Sequence, residues 1–393
     1  MPQSVTDFSF LGYYLLAAIG CGLMVILLKY IVRKQNIQNQ IVNNVITWVA
    51  IGNIVDNTTP TEEKQISREK YIVKILIHFV LINVAYISWG ILQERMITIE
   101  YKNPETGESS RFQQSDFIVL SNRVLAMVIS GAILLITKYR NRASRREWKQ
   151  QSYPPLYKYG YSSLSNLVSS WSQYEALKYV SFPFQVLAKS CKIVPVMIMG
   201  TIVSRKVYTL RQYLSALCLT VGISLFTYST GKSKGGSGDT EFYLTLLGYF
   251  LLAVYFVGDS FTSNWQSELY KKYKITSIQM MFNSSVVSVV LILFSFCGRG
   301  FSYPYTFIKI HPVFLYHLFL CALTSSIGQV FIFYAIKDVG PVVFTGIMVT
   351  KSLISMMLSC IIYKHVIPTL GLVGVGIVFG VLYLEFSLHL KRR

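Results

Sequence analysis

Residues 183–203 read PFQVLAKSCKIVPVMIMGTIV, an apolar stretch whose only charges are Lys189 and Lys192. A helix of that length, rising about 1.5 Å per residue, crosses the roughly 30 Å hydrocarbon core of a bilayer. Spacing of three puts both lysines on one face of that helix. Pro195 has no N–H to offer the Cys191 carbonyl, so the helix is expected to open beside them. A lysine at a helix centre costs about 2.5–3.5 kcal/mol on insertion scales unless it snorkels or faces a wet cavity. Lys192 lies too deep to snorkel, so the stretch predicts a membrane protein with an anion to hold.

The same reading extends outward. Laying Ala176–Lys206 on Ala335–His365 without a gap pairs Ala176 with Ala335, Lys178 with Lys337, Val180 with Val339, Lys192 with Lys351, Met197 with Met356 and Ile202 with Ile361. Two apolar helices share aliphatic residues by chance, whereas paired lysines are poorly explained that way. Similar stretches recur along the chain: a leading one near Phe8–Leu28, then 72–93, 116–137, 158–178, 183–203, 212–229, 243–264, 277–296, 313–335, 341–362 and 369–388. Barrel strands would be half as long and would alternate. With 52% hydrophobic and 14% charged residues, the chain has more apolar matter than a soluble core needs.

Basic residues follow the loops. Lys138, Arg140, Arg142, Arg145, Arg146, Lys149 and Lys158 face one acid, Glu147, between the second and third core helices, which predicts a cytosolic loop. Alternation from there makes Arg205–Arg211, Lys271–Lys274 and the tail Lys391–Arg393 cytosolic, and the mixed-charge loop from Glu94 to Arg111 luminal. Residues 1–31 are then an N-terminal transmembrane helix starting in the lumen, retained rather than cleaved as a signal peptide, because it lacks a basic start and its apolar run is too long. Residues 32–71 form a cytosolic linker, so the sequon at Asn57 stays unmodified. Gly and Ser crowd 231–241, a flexible connector between five-helix repeats at 72–230 and 242–390. The fourth and ninth helices run in opposite directions, so the repeats are inverted, as in many secondary transporters with a midplane site. The fold class is an all-α membrane protein of ten core helices in two inverted five-helix repeats, plus the leading helix.

The net charge of +19 is spread by topology rather than gathered with aromatics on one face, so nucleic acid is not an expected partner. The six cysteines show no paired spacing, the five histidines no ligand spacing, and no Walker-type loop is present. No catalytic residue, metal or cofactor is expected. An integral-membrane enzyme acting on a phosphorylated lipid is the alternative from another class, but it would need carboxylates or a base at a common depth.

Glu175, Asp259 and Glu385 are the acids that could pair the lysines, and two of them sit near helix ends. Substrate phosphate is therefore preferred to internal salt bridges as the counter-ion of Lys189, Lys192 and Lys351, since ammonium groups suit phosphate. Gln93, Gln173, Tyr174, Asn264, Gln279 and Gln329 are candidates to complete the site, although each could equally bond helix to helix.

Several segments resemble one family: Trp89-Gly90-Ile91-Leu92-Gln93-Glu94-Arg95, the run 170–197, Asp259-Ser260-Phe261-Thr262-Ser263-Asn264-Trp265-Gln266, Gln279-Met280-Met281-Phe282 and Gly328-Gln329-Val330-Phe331-Ile332-Phe333-Tyr334. Over roughly Tyr71 to Tyr383 the chain resembles the nucleotide-sugar transporters of the drug/metabolite transporter superfamily, most closely the branch carrying adenosine 3'-phospho 5'-phosphosulfate (PAPS). The Gly-Ala-Leu-Asn-Lys motif of GDP-mannose carriers is absent. The resemblance implies the ten-helix drug/metabolite transporter fold and an antiporter in the Golgi membrane. PAPS would enter the lumen to supply sulfation, in exchange for an adenine nucleotide monophosphate or bisphosphate. It also implies that Lys189, Lys192 and Lys351 contact substrate phosphates. Relatives often have Arg at the place of Lys351; Arg offers a fork and Lys a compact charge. UDP-sugar or ATP/ADP-type exchange in the ER or Golgi is the alternative within the class. Membrane lipid is the surrounding partner, and a homo-oligomer is left open.

Overall fold

The computed structural model describes residues 68–98, 100–102, 109–112, 114–140, 153–176, 179–180, 192–230, 239–273 and 275–362, together with scattered positions in 16–29 and 369–384. Nine helices and one small hairpin are delimited among these: α1 (Arg68–Thr98), β1 (Tyr101–Lys102), β2 (Ser109–Ser110), α2 (Ser115–Arg140), α3 (Leu156–Ala176), α4 (Ile193–Ser204), α5 (Leu210–Thr230), α6 (Asp239–Lys272), α7 (Ser277–Arg299), α8 (Ser302–Ile310) and α9 (Pro312–Ile362). Gly340, at φ 81°, interrupts α9, and Pro341 follows it. That break separates the predicted eighth and ninth helices. A φ in this region suits glycine, and Pro341 cannot continue the hydrogen-bond ladder behind it.

Five stretches among the described residues are long and apolar enough to cross a bilayer: Val73–Gly90, Asp116–Arg140, Leu246–Lys272, Ser277–Phe296 and Pro312–Met348. On α1, Val73, Leu76, Ile77, Val80 and Val84 are exposed at helical spacing, while Ile75, His78, Ile82 and Ala85 are buried on the other side. A stripe of bare aliphatic side chains is a liability in water and an ordinary surface in lipid. The protein is a multi-pass helical membrane protein.

The chain packs as two compact units, and each draws on both halves of the sequence: Leu76–Leu164 with Leu269–Lys337 in one, Gln65–Ile75 with Ser165–Glu268 and the residues from Asp338 onward in the other. Division into repeats and division into packed units are therefore different cuts of the chain.

In the first unit, α2 lies close on α7 because Gly131 leaves room for the Phe282 ring, which a Cβ there would meet at 3.1 Å. The hairpin after α1 was not foreseen in the sequence, nor was α8. Tyr101 of β1 and Phe112, just after β2, bury with Met96, Phe307 and Phe314 in one largely aromatic cluster. Tyr101 bonds His317 Nδ1 at 3.0 Å and Ser110 bonds His311 Nε2 at 2.9 Å, so α8 and the start of α9 are tied to the hairpin. Outside the cluster, the Ser109 hydroxyl and then Arg111 hold the Glu100 carboxyl below its usual range.

The second unit is assembled by small residues. Ser165 and Ser169 of α3 donate to the Gly258 and Tyr255 carbonyls of α6 at 2.7 and 3.0 Å. A Cβ at Gly258 would meet Ser165 O at 3.1 Å, so glycine allows the close crossing. This crossing sets the position of Asp259, the next residue on α6.

Candidate functional site

The site in the second unit is built where α4 begins beside α6. Lys192 is the N-cap of α4, and the first intrahelical bond runs from Val196 N to Lys192 O at 3.1 Å. Pro195 is thus in the first turn, where a helix has no use for the missing N–H. The expectation that Pro195 opens a continuous helix beside the lysines is corrected: it suits a helix start.

Lys192 is buried and forms an ion pair with Asp259 of α6. The expectation that its counter-ion comes from the substrate rather than from an internal carboxylate does not describe this state. Asp259 was one of the three acids weighed in the sequence. What chain order hides is that α6 packs beside the α4 N-terminus, where it brings Asp259 to Lys192.

One turn further along α6, Asn264 is fully buried and donates from Nδ2 to Val196 O at 2.9 Å and to Ser260 O at 3.0 Å. It fastens α6 to α4 next to the ion pair. Gly200, on the same helix, is fixed by space: a Cβ there would lie 2.3 Å from Tyr208 Oη and 3.0 Å from Asn264 Oδ1. Burial, with Tyr213 beside it, raises the Tyr208 phenol above its usual range. Gly200→Val is expected to lose about 1–3 kcal/mol through overpacking, read as a lower thermal unfolding temperature in detergent. A variant as stable as the parent would show that the contact yields easily.

Lys351 lies half-buried on the second segment of α9, and Gln173 half-buried on α3, both in this unit. Lys189 and Glu385 lie outside the described residues, as does the Tyr174 side chain. Glu175 is buried. The structure therefore brings Lys192, Asp259 and Asn264 together.

The remaining candidates are in the first unit. Gln93 is half-buried on α1. Gln279 is the third residue of a capping box: its Oε1 accepts from Thr276 N at 2.8 Å while its own N–H reaches Thr276 Oγ1 at 3.2 Å. That is sufficient reason for a Gln there without a ligand. Gln329 is buried and accepts from Arg123 Nη1 at 3.0 Å. Arg123 was missed in the sequence, although Ile118-Val119-Leu120-Ser121-Asn122-Arg123-Val124 displays a guanidinium inside a predicted span.

A model of the UAA transporter family matches residues 74–389. "Adenosine 3'-phospho 5'-phosphosulfate transporter 1" of Drosophila melanogaster is 44% identical over 305 residues, 77% of this chain and 62% of the relative. The Homo sapiens protein of the same name is 42% identical over 305 residues, 77% of this chain and 67% of the relative. "UDP-galactose/UDP-glucose transporter 5B" of Arabidopsis thaliana is 33% identical over 308 residues, 78% of this chain and 86% of the relative. The match spans about six-tenths of the length of the fly relative.

Proposed function

Because this chain belongs to the UAA transporter family, we propose that it is an antiporter carrying adenosine 3'-phospho 5'-phosphosulfate from the cytosol into the Golgi lumen in exchange for an adenine nucleotide. The observation that carries this reading is the 44% and 42% identity, each over 305 residues, to fly and human proteins of that name. Membership makes it a transporter and not an enzyme.

On this reading Asp259 balances the charge of Lys192 and holds it in place while no nucleotide is bound. Lys189 and Lys351 add the positive charge that a nucleotide with several anionic groups balances. Asn264 holds α6 against α4, so that the pair keeps its geometry. Gln173 and Tyr174, with Gln93 and Gln329, remain proposed polar contacts. The Gln279 capping box makes a ligand role for that residue the least needed of the set.

The packing of the hairpin on α8 supports the alternation read from the loops, which sets 94–111 and 297–312 on one side of the membrane. That side is proposed to be the lumen, with the N-terminus luminal and the C-terminus cytosolic.

The 33% identity to the Arabidopsis relative favours one second reading, a UDP-hexose exchanger. A competition panel in proteoliposomes separates the two. Unlabelled PAPS and adenosine 3',5'-bisphosphate are expected to suppress uptake of labelled PAPS at concentrations at least about tenfold below UDP-galactose, a difference of about 1.4 kcal/mol in binding. Equal or stronger suppression by UDP-galactose would favour the second reading.

A further inference from the structure

We propose that α8 is a membrane-surface anchor: the edge formed by Phe301, Tyr305 and Ile308 sits among lipid at the boundary of headgroups and acyl chains, and holds the hairpin down on the bilayer, whichever solute the protein carries.

Topology is the first observation. The spanning stretch of α7 ends at Phe296 and that of α9 starts at Pro312, with α8 between them. A helix of nine residues is about 13 Å long and cannot recross a hydrocarbon core of about 30 Å. The bilayer face where α7 leaves is therefore the face where α9 enters, and α8 stays against it. Ring contacts fix both ends of α8 at that depth. Phe301, its N-cap, stacks on Phe296 with centroids 4.5 Å apart and planes 5° from parallel. Phe307 packs on Phe314, in the first turn of α9, at 5.1 Å.

The division of the helix surface is the second. Pro304 and Phe307 are buried on the inner side. Tyr303 faces the hairpin, where its hydroxyl donates to the Arg111 carbonyl at 3.3 Å. Ser302, Thr306 and Lys309 form an exposed polar stripe. The remaining edge carries Phe301, Tyr305 and Ile308, and Tyr305 lies about 160° round the helix from Tyr303. The Tyr305 N–H bonds the Phe301 carbonyl at 3.1 Å, so the two rings stand one turn apart. Tyr305 is 70% exposed and Phe301 45%. An aromatic edge beside a polar stripe is the pattern of helices that lie in the membrane interface. Tyrosine suits that layer because its ring is apolar and its hydroxyl wet.

Continuity is the third. Val290, Leu293 and Phe294 are exposed at helical spacing near the end of α7, and Val313 and Tyr316 at the start of α9. Bare aliphatic and aromatic stripes on spanning helices face lipid, as on α1. The lipid-covered surface thus reaches α8 from both ends, and lipid is the occupant its apolar edge meets. The hairpin rides on this anchor through Tyr303 and through the bond from Ser110 to His311.

Tryptophan placed on α8 tests the proposal in nanodiscs, read as the emission added over the five native tryptophans. In Tyr305→Trp that emission should lose most of its intensity to lipid brominated near the top of the acyl chain, and little to aqueous iodide. Thr306→Trp, on the polar stripe, should show the reverse. Unfolding at the parental temperature confirms that a variant is intact, and Phe301→Trp repeats the reading on the same edge should Tyr305→Trp unfold early. Quenching of Tyr305→Trp by iodide and not by lipid overturns the proposal, because the edge then faces water. Quenching by neither overturns it in favour of a second copy or another protein on that edge. Equal quenching by lipid at both positions contradicts the division into edge and stripe.

Discussion

Lys192→Ala, with Asp259 left in place, is expected to destabilise the protein by about 3–5 kcal/mol, the usual cost of stranding one member of a buried ion pair. The Lys192 side chain is 9% exposed and that of Asp259 23%, so the stranded carboxylate would have only partial access to water as a substitute partner. Removing both partners together, Lys192→Ala with Asp259→Ala, should restore most of that stability, because an apolar replacement for a whole pair is often close to neutral. Thermal unfolding of the purified protein reads both effects. If the single and double variants unfold at the same temperature, the two charges are not coupled as described.

Lys351→Ala carries the second large effect. Lys351 lies within the helix that follows the Gly340 break, and the proposal assigns it to a substrate phosphate. Loss of one charge-assisted contact weakens binding by about 1.5–3 kcal/mol, roughly ten- to hundredfold. Nucleotide exchange in Lys351→Ala should therefore collapse at concentrations that saturate the parent. Lys351→Arg keeps the charge and adds a fork, and is expected to retain exchange. Wild-type exchange in Lys351→Ala would remove this residue from the site.

Length and hydropathy made the helices legible, because a lipid-spanning helix must be long and apolar whatever its neighbours are. The break in α9 was legible for the same local reason, Gly340 followed by Pro341. So was the start of α7, where Thr276-Ser277-Ile278-Gln279 has the capping-box spacing.

The hairpin and α8 were not legible. Strands of two residues have no periodicity, and the aromatic residues that hold them pair Tyr101 and Phe112, in and just after the hairpin, with Phe307 of α8 and Phe314 of α9, far away in the chain. The ion pair was half legible. The sequence offered Asp259 among three acids, but its approach to Lys192 depends on the contact of α6 with α4, where Asn264 bonds the Val196 carbonyl, and chain order does not show that. Pro195 misled because a proline reads differently at a helix start than within one, and only the location of the Lys192 cap decides which applies. Arg123 was in plain view within an apolar span, but the gapless repeat drew attention to lysines instead.

Lys192 has an internal carboxylate partner in Asp259, and the relatives are transporters of nucleotides by name. If Asp259 were the whole purpose of Lys192, deleting the pair as a unit would cost nothing in transport. The deciding measurement is uptake of labelled PAPS into proteoliposomes preloaded with adenosine 3',5'-bisphosphate by the Lys192→Ala, Asp259→Ala double variant, after its thermal stability has been matched to the parent. A folded protein with exchange reduced at least about tenfold is the predicted result. Exchange at the parental rate would contradict the account.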